Sequence, residues 1–223
     1  MRGITAFVSA IAVAACAAIA GQQYDNGGAA KTTVSPNWYY GAKVIGAYNG
    51  VLATGTYSDG MAADEILLSV RYTGDNDLLI TSASTQFGVV TKFSTEQFVG
   101  ARCFKATSFT AADTGGTSYS DFFLPTDSDM PSISGATIMV AGDGTTGLTE
   151  GTRTVGSVAF RGGMATSTDK VAQDMPNTED FPMNRNATFV LHKNEGLECL
   201  NSYEVSGGSF FFIFRLHMLE VSK

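Results

Sequence analysis

The side chains that usually perform acid–base or nucleophilic catalysis occur here without a recognisable catalytic spacing. The sequence has two histidines, His192 and His217, which cannot form a three-histidine zinc site, and it has no His-Glu-x-x-His spacing. It also lacks a Gly-x-Ser-x-Gly turn for a nucleophilic serine. Carboxylates are numerous, but the Glu-x-Asp-x-Glu arrangement common in β-sandwich glycosidases is missing. We therefore predict no catalytic activity, with a secreted hydrolase as an alternative.

Two short loops carry acidic side chains at a spacing that suits calcium. Asp75 and Asp77 flank an asparagine, and Asp127 and Asp129 flank a serine. Calcium prefers several oxygen ligands in flexible loops, so these four residues are candidate ligands. Aspartate and asparagine are also ordinary turn residues, and this alternative reading stays open. Calcium is the one cofactor that the sequence suggests.

An aromatic cluster near the N-terminus is a candidate carbohydrate-binding surface. Trp38, the only tryptophan of the chain, is followed directly by Tyr39 and Tyr40. Flat aromatic rings bind sugars by stacking against their apolar C–H faces. The alternative is that the three rings pack into the core, because aromatic burial contributes much to stability.

The N-terminal residues predict export. After Arg2, an apolar, alanine-rich run reaches Ala20, which indicates a signal peptide at residues 1–20 that is cleaved before Gly21. A retained membrane anchor and lipidation at Cys16 are the alternatives. A secreted, extracellular location would also make Asn186 an N-glycosylation acceptor if the host is a eukaryote.

Removal of this leader leaves two cysteines, Cys103 and Cys199. Each lies in a segment that resembles a strand, and an even number of cysteines in an exported chain predicts a disulfide. Such a bridge would join two strands that are distant in sequence. Two buried free thiols are the alternative.

Short alternating apolar stretches, separated by Gly, Asn, Asp and Ser, predict an all-β fold. We expect residues 21–223 to form one domain, a two-sheet antiparallel β-sandwich that also fits a jelly roll. The pattern predicts a hairpin formed by Glu65–Tyr72 and Asp77–Thr81. It also predicts a long loop at residues 166–182, with a helical turn near Lys170–Asp174. Further strands are predicted at Val51–Tyr57, Gln86–Phe93, Phe98–Ser108, Ser118–Leu124, Ala136–Ala141, Arg153–Phe160, Ala187–His192 and Ser209–Val221.

The strand at Ser209–Val221 has one face that is entirely apolar, which predicts that this face lies in the core. The same alternation places Arg215 and His217 on the opposite face. One interpretation is a functional site built from these two residues; we favour the other, a polar patch that faces solvent, because the alternation alone explains both residues.

The net charge of −7 argues against nucleic acid as a partner, because an acidic surface repels phosphate backbones. It also argues against adsorption to a membrane after the leader is removed. The sequence therefore predicts a secreted, extracellular binding protein without catalytic activity, with glycan or a cell-surface component as its partner. The alternative is a structural protein that self-assembles as a homo-oligomer, such as a filament or shell subunit.

Overall fold

Two antiparallel sheets pack face to face in the computed structural model, which describes residues 44–119, 123–125, 133, 135–166, 168, 177–180 and 189–222. The predicted all-β, two-sheet sandwich is confirmed. The described residues contain no helix with the length and hydropathy needed to cross a membrane. The strands in chain order are β1 (Val44–Ala53), β2 (Tyr57–Ser58), β3 (Ile66–Tyr72), β4 (Asp77–Thr91), β5 (Phe98–Ala111), β6 (Thr117–Tyr119), β7 (Phe123–Pro125), β8 (Ala136–Val140), β9 (Thr152–Ala165), β10 (Asn177–Asp180), β11 (Phe189–Leu191), β12 (Glu195–Asn201) and β13 (Ser209–Val221).

The larger sheet has seven strands in the order β10-β4-β13-β1-β7, with β11 also paired to β4 and β2 to β13. The smaller sheet has six strands in the order β6-β8-β3-β12-β5-β9. We call the side of each sheet that faces the other sheet its inner face and the opposite side its outer face.

Strand β13 shows how the sequence pattern produces the core. Its alternate apolar side chains are buried on the inner face, and Arg215 and His217 lie on the outer face, as predicted. Long strands β4 and β1 pair with its two edges, so β13 is central in the sheet. Across the sandwich, the ring of Phe214 stacks on Phe160 of β9, with 6.2 Å between centroids.

The predicted hairpin between Glu65–Tyr72 and Asp77–Thr81 is wrong. Strand β3 pairs with β8 and β12 in the smaller sheet, whereas β4 pairs with β13 in the larger sheet. The turn between them therefore carries the chain from one sheet to the other. Both strands are mostly buried, and each satisfies its backbone hydrogen bonds with other partners in its own sheet.

Two other predicted segments also differ from the structure. The strand expected at Ser118–Leu124 is two short strands, β6 and β7, which belong to different sheets. Within the predicted loop at residues 166–182, Asn177–Asp180 forms β10 and pairs with Ser82–Thr85 of β4. The helical turn expected at Lys170–Asp174 lies outside the described residues.

The predicted disulfide is confirmed. Cys103 of β5 and Cys199 of β12 lie directly opposite each other in the smaller sheet and are bonded, with 3.9 Å between their Cα atoms. Both are fully buried on the inner face. The bridge therefore fixes the pairing of β5 with β12 at the centre of the fold.

Glycine at position 162 allows β9 to lie very close to the larger sheet. A Cβ atom at Gly162 would lie only 1.9 Å from Oγ1 of Thr85 in β4, so a larger residue here would have to displace the buried Thr85 side chain. The outer face of β9 above this point forms part of the groove described next.

Candidate binding groove on the smaller sheet

A groove of about 360 Å³ lies on the outer face of the smaller sheet, where β5, β9 and the end of β12 meet. It is lined by residues from three separate parts of the chain: Phe98, Val99, Arg102, Arg161, Gly162, Gly163, Ser202 and Tyr203. We call this the β5–β9 groove. Its volume is at the lower end of the range found for small-molecule sites.

One end of the groove is an aromatic platform formed by Phe98 and Tyr203. These rings are 64% and 53% exposed, although most of the aromatic side chains that the structure describes are buried. Their centroids are 6.4 Å apart and their planes are inclined by 43°. At this distance the rings touch each other, so a ligand would lie on top of them and not between them.

A threonine at the end of β9 holds Phe98 in place. The buried Thr166 accepts a hydrogen bond from the amide of Gln97 through its Oγ1 at 3.0 Å, and its own amide donates to the Gln97 carbonyl at 2.8 Å. This double link fixes the strand end immediately before Phe98.

A buried asparagine holds the other half of the platform. Asn201 is fully buried, and its Nδ2 donates to the carbonyl of Ala62 at 2.9 Å. The next residue, Ser202, donates its amide to the Gly100 carbonyl at 2.9 Å. These bonds tie the segment that carries Tyr203 to β5, so the platform is built on fixed backbone.

Next to the platform lies a glycine row formed by Gly100 and Gly163, which are directly opposite each other in the β5–β9 pair. Because side chains alternate along a strand, these two positions share the outer face with Phe98 and Arg102. Gly163 is exposed and lines the groove, whereas Gly100 is buried beside it, so the groove surface at Gly163 is backbone. A Cβ atom at Gly163 would also lie 2.7 Å from the Val99 carbonyl oxygen, so the local packing requires glycine there.

The far end of the groove is an arginine pair, Arg102 and Arg161, also directly opposite each other in register. Arg102 forms an ion pair with Asp64, and its guanidinium lies 5.7 Å from the centroid of the Phe104 ring. The Nε of Arg102 is buried and has no acceptor among the described residues. Asp64 adopts a left-handed backbone conformation with φ of 69°, which aspartate tolerates better than most residues.

Chemically, this arrangement suits non-covalent binding. The rings offer apolar faces, the guanidinium groups and Ser202 offer hydrogen-bond donors, and the lining residues include no histidine, carboxylate or cysteine. The groove can therefore hold and orient a ligand, and its lining supplies no general base.

Most of the sequence-predicted site residues fall in parts of the chain that the structure does not describe. Trp38, Tyr39 and Tyr40, the aspartates Asp127 and Asp129, the sequon Asn186, Cys16 and the predicted leader are all outside the described residues, and these predictions stay predictions.

The loop at Asp75–Asp77 is described, and its side chains point to different partners. Asp75 pairs with Lys193 at 2.6 Å, and Asp77 contacts Nδ1 of His192 at 2.7 Å. Asn76 donates through Nδ2 to the Glu220 carboxylate at 2.9 Å. Among the residues that the structure describes, no three metal-ligating side chains cluster together. Calcium binding at this loop stays a prediction that these contacts do not favour.

The carboxylate of Glu220 is the centre of a buried polar cluster at this end of the larger sheet. Besides Asn76, it accepts hydrogen bonds from Tyr48 Oη at 3.1 Å and Tyr72 Oη at 3.4 Å. Burial, together with the negative charge of Glu220, raises the pKa of both tyrosines above the ordinary value. The two phenols thus keep their protons and donate them in hydrogen bonds to the nearly buried carboxylate of Glu220, which needs such donors because few water molecules can reach it.

A second buried polar cluster lies beneath the loops that cover the other end of the smaller sheet. Glu198 is fully buried, and both its carboxylate oxygens accept hydrogen bonds from the guanidinium of Arg153, one from Nη2 at 2.5 Å. Asp113 is also buried and accepts a hydrogen bond from the Gly151 amide at 2.7 Å. Burial raises the pKa of Glu198, opposed by Arg153 and reinforced by Asp113. No substrate can reach these carboxyl groups in this structure, and we assign them a structural role.

No protein-family model matches this chain, and comparison with curated proteins and with solved structures gives no significant match.

The residues of the groove were not singled out in the sequence. One available signal was Phe98. In β5, Val99, Ala101 and Cys103 alternate along the strand and are buried. Phe98 lies on the opposite face, where a large aromatic side chain is exposed to solvent. The arginine pair gives no sequence signal, because it depends on the register between β5 and β9.

Proposed function

We propose that this is an extracellular protein that binds carbohydrate through the β5–β9 groove without chemical change. The observation that carries the proposal is the exposed aromatic platform of Phe98 and Tyr203, which lies in one groove with hydrogen-bond donors and with Gly163, a position that has no side chain.

This combination suits a sugar for two reasons. An aromatic ring packs well against the apolar C–H face of a pyranose, and the guanidinium and hydroxyl donors at the same site can bind its oxygen atoms. Both rings are held by backbone hydrogen bonds on either side, so little conformational entropy is lost when a ligand binds.

An extracellular location is supported by the disulfide between Cys103 and Cys199, because such bridges persist in oxidising compartments. Together with the predicted leader, it favours a protein that meets glycans outside the cell.

Replacing Phe98 or Tyr203 with alanine should weaken carbohydrate binding by about tenfold or more, since central aromatic residues dominate the binding energy at such sites. The measurement is a glycan-array screen of the wild-type protein, followed by calorimetric titration of the best ligand against each variant. Both side chains are largely exposed, so the variants should fold normally.

The matched control is Tyr119→Ala, which removes an exposed tyrosine from β6, outside the groove. It should leave the affinity unchanged. The proposal fails if no glycan binds the wild-type protein, or if the Phe98 and Tyr203 variants bind as tightly as the control.

A second candidate function is self-assembly, favoured by an apolar patch on the outer face of the larger sheet. Val51 of β1 and Leu124 of β7 are 60% and 61% exposed. Leu124 lies opposite Asn49, two residues from Val51, so both side chains lie on one face near the sheet edge. Adjacent exposed apolar residues often mark protein–protein contacts.

If this patch joins copies of the chain, the wild-type protein should have an oligomeric mass in light scattering, and Val51→Asp should reduce it to the monomer mass. Val90→Asp, which alters an exposed valine at the end of β4, is the control and should leave the mass unchanged. A wild-type protein that is monomeric at high concentration would exclude this role.

A further inference from the structure

We propose that the ligand of the β5–β9 groove is a neutral oligosaccharide: one sugar ring lies against Phe98 and Tyr203, and hydroxyl groups further along the chain bind the ion pair of Arg102 and Asp64. This inference rests on the proposed function. It names the ligand class and adds Asp64 as a binding residue.

Both arginines of the groove already interact with other groups of the protein. Arg102 forms an ion pair with Asp64, and Arg161 also has an interaction partner within the chain. The net charge of −7 opposes the approach of any anion, whether it is an acidic sugar or a phosphate. A neutral ligand needs no unpaired cation and is not repelled by an acidic surface, so the charges at this site favour it.

The ion pair of Arg102 with Asp64 is suited to hydroxyl groups. The Asp64 side chain is 65% exposed, and the one hydrogen bond of its carboxylate among the described residues is made by Oδ1. The guanidinium of Arg102 carries more N–H donors than this single bond uses. Because a hydroxyl both donates and accepts, two neighbouring hydroxyls of a sugar can donate to the carboxylate and accept from the guanidinium.

The backbone at Asp64 is held in a conformation that residues other than glycine seldom adopt. Its φ is 69°, in the left-handed region, and such residues are found often at ligand-binding sites. The Asp64 amide donates to the Asn201 carbonyl at 2.9 Å, and the Asn201 amide donates to the Glu65 carbonyl at 2.8 Å. These bonds attach Asp64 to the segment that leads into Tyr203, so the carboxylate and the aromatic platform have fixed relative positions.

The length of the groove favours more than one sugar unit. Phe98 and Arg102 are four residues apart on β5, which is about 13 Å along the strand. Gly163, opposite Gly100, lies between them and leaves room above the sheet. This span exceeds a single pyranose ring. One ring at the platform and a second above Gly163 would bring hydroxyl groups to the ion pair.

The test titrates the full mature protein with neutral probes: cellotetraose, mannotetraose, xylotetraose and the neutral glycan with the strongest signal on the array. Tetragalacturonate is the acidic probe. We expect at least one neutral probe to bind about tenfold or more tightly than tetragalacturonate. Its affinity should change by less than about twofold between low and high salt, because salt screens only interactions between charges.

Asp64→Asn is the decisive variant, because the two ligand classes predict effects of opposite sign. Asparagine also tolerates the left-handed conformation, so the variant should fold normally. It replaces a charged acceptor with a weaker neutral one and should weaken binding of the neutral probe by about fivefold to tenfold. It also removes the counter-charge of Arg102, which would strengthen binding of an anion at this position.

The matched control is Glu150→Gln. It removes the charge of another exposed carboxylate that forms an ion pair with an arginine, Arg153, outside the groove. This variant should leave the affinity for every probe unchanged.

The outcomes separate this inference from the proposed function. If a neutral probe binds and needs Phe98 but is unaffected by Asp64→Asn, the role of Asp64 is overturned and the proposed function stands. If acidic glycans alone bind, or if tetragalacturonate binds more tightly than every neutral probe and Asp64→Asn strengthens it, the neutral class is overturned and the proposed function again stands. If no glycan of any kind binds, both fail.

Discussion

Loss of the disulfide should lower the free energy of unfolding by about 4 kcal/mol, as expected for a cross-link that closes a loop of this length. Cys103 and Cys199 are 96 residues apart in sequence and directly opposite each other in β5 and β12. The bridge restricts the unfolded chain, so its removal stabilises the unfolded state relative to the native one. Chemical denaturation of the Cys103→Ala/Cys199→Ala variant measures this loss.

The double alanine variant also removes two buried sulfur atoms from the core. A second measurement must therefore separate the stability lost with this packing from the stability lost with the cross-link. Wild-type protein that is unfolded, reduced and refolded under reducing conditions keeps both sulfur atoms and lacks only the bond. Most of the expected loss should appear in this reduced protein. If oxidised and reduced wild-type proteins unfold at the same denaturant concentration, the bridge contributes nothing to stability.

The disulfide also connects the core to the groove. On β5, Cys103 faces the core and its neighbour Arg102 faces the groove, while Ser202 and Tyr203 follow β12 within a few residues of Cys199. The bond therefore holds together β5, which carries Phe98, and β12, whose end leads into Tyr203, so it fixes the two halves of the aromatic platform relative to each other. The same covalent link that stabilises the fold keeps the binding surface in one geometry.

The sequence was sufficient for features that depend on local pattern or on composition. Alternation along Ser209–Val221 identified both its buried face and the outward positions of Arg215 and His217. The cysteine pair was identified because export and an even count leave one pairing, and the structure has that pairing.

Features that depend on which strands become neighbours were not accessible from the sequence. Alternation in Glu65–Tyr72 and Asp77–Thr81 is the same whether the two strands form a hairpin or cross between sheets, and here they cross. The groove combines residues near positions 98, 161 and 202, which meet only because β5 lies between β9 and β12. No local pattern fixes that order.

The buried contact between Glu198 and Arg153 leads to the second large expected effect. Glu198→Ala should lower the free energy of unfolding by about 3–5 kcal/mol, because it leaves a buried guanidinium without its main acceptors. Both side chains are almost completely buried, and Glu150, the second carboxylate that forms an ion pair with Arg153, is largely exposed. Denaturant unfolding at neutral pH measures the change.

Glu198→Gln is the informative control, because it keeps the shape and one acceptor but cannot ionise. Burial and the neighbouring Asp113 both raise the pKa of Glu198, so the surroundings disfavour its ionised form. The cluster therefore tolerates a neutral group at position 198, and glutamine should cost far less than alanine. If the two variants lose equal stability, the acceptor to Arg153 is not what stabilises this site.

The pH dependence follows from the raised pKa of Glu198, caused first by burial and then by the neighbouring Asp113. Because the folded state holds this proton more tightly than the unfolded state, the contribution of Glu198 is fully present below its ordinary pKa of about 4.3 and is lost as pH rises through the raised value. The wild-type protein should thus lose stability relative to Glu198→Gln between acid and neutral pH. A wild-type protein that instead gains stability relative to Glu198→Gln over that range would mean that Arg153 outweighs burial and holds Glu198 ionised.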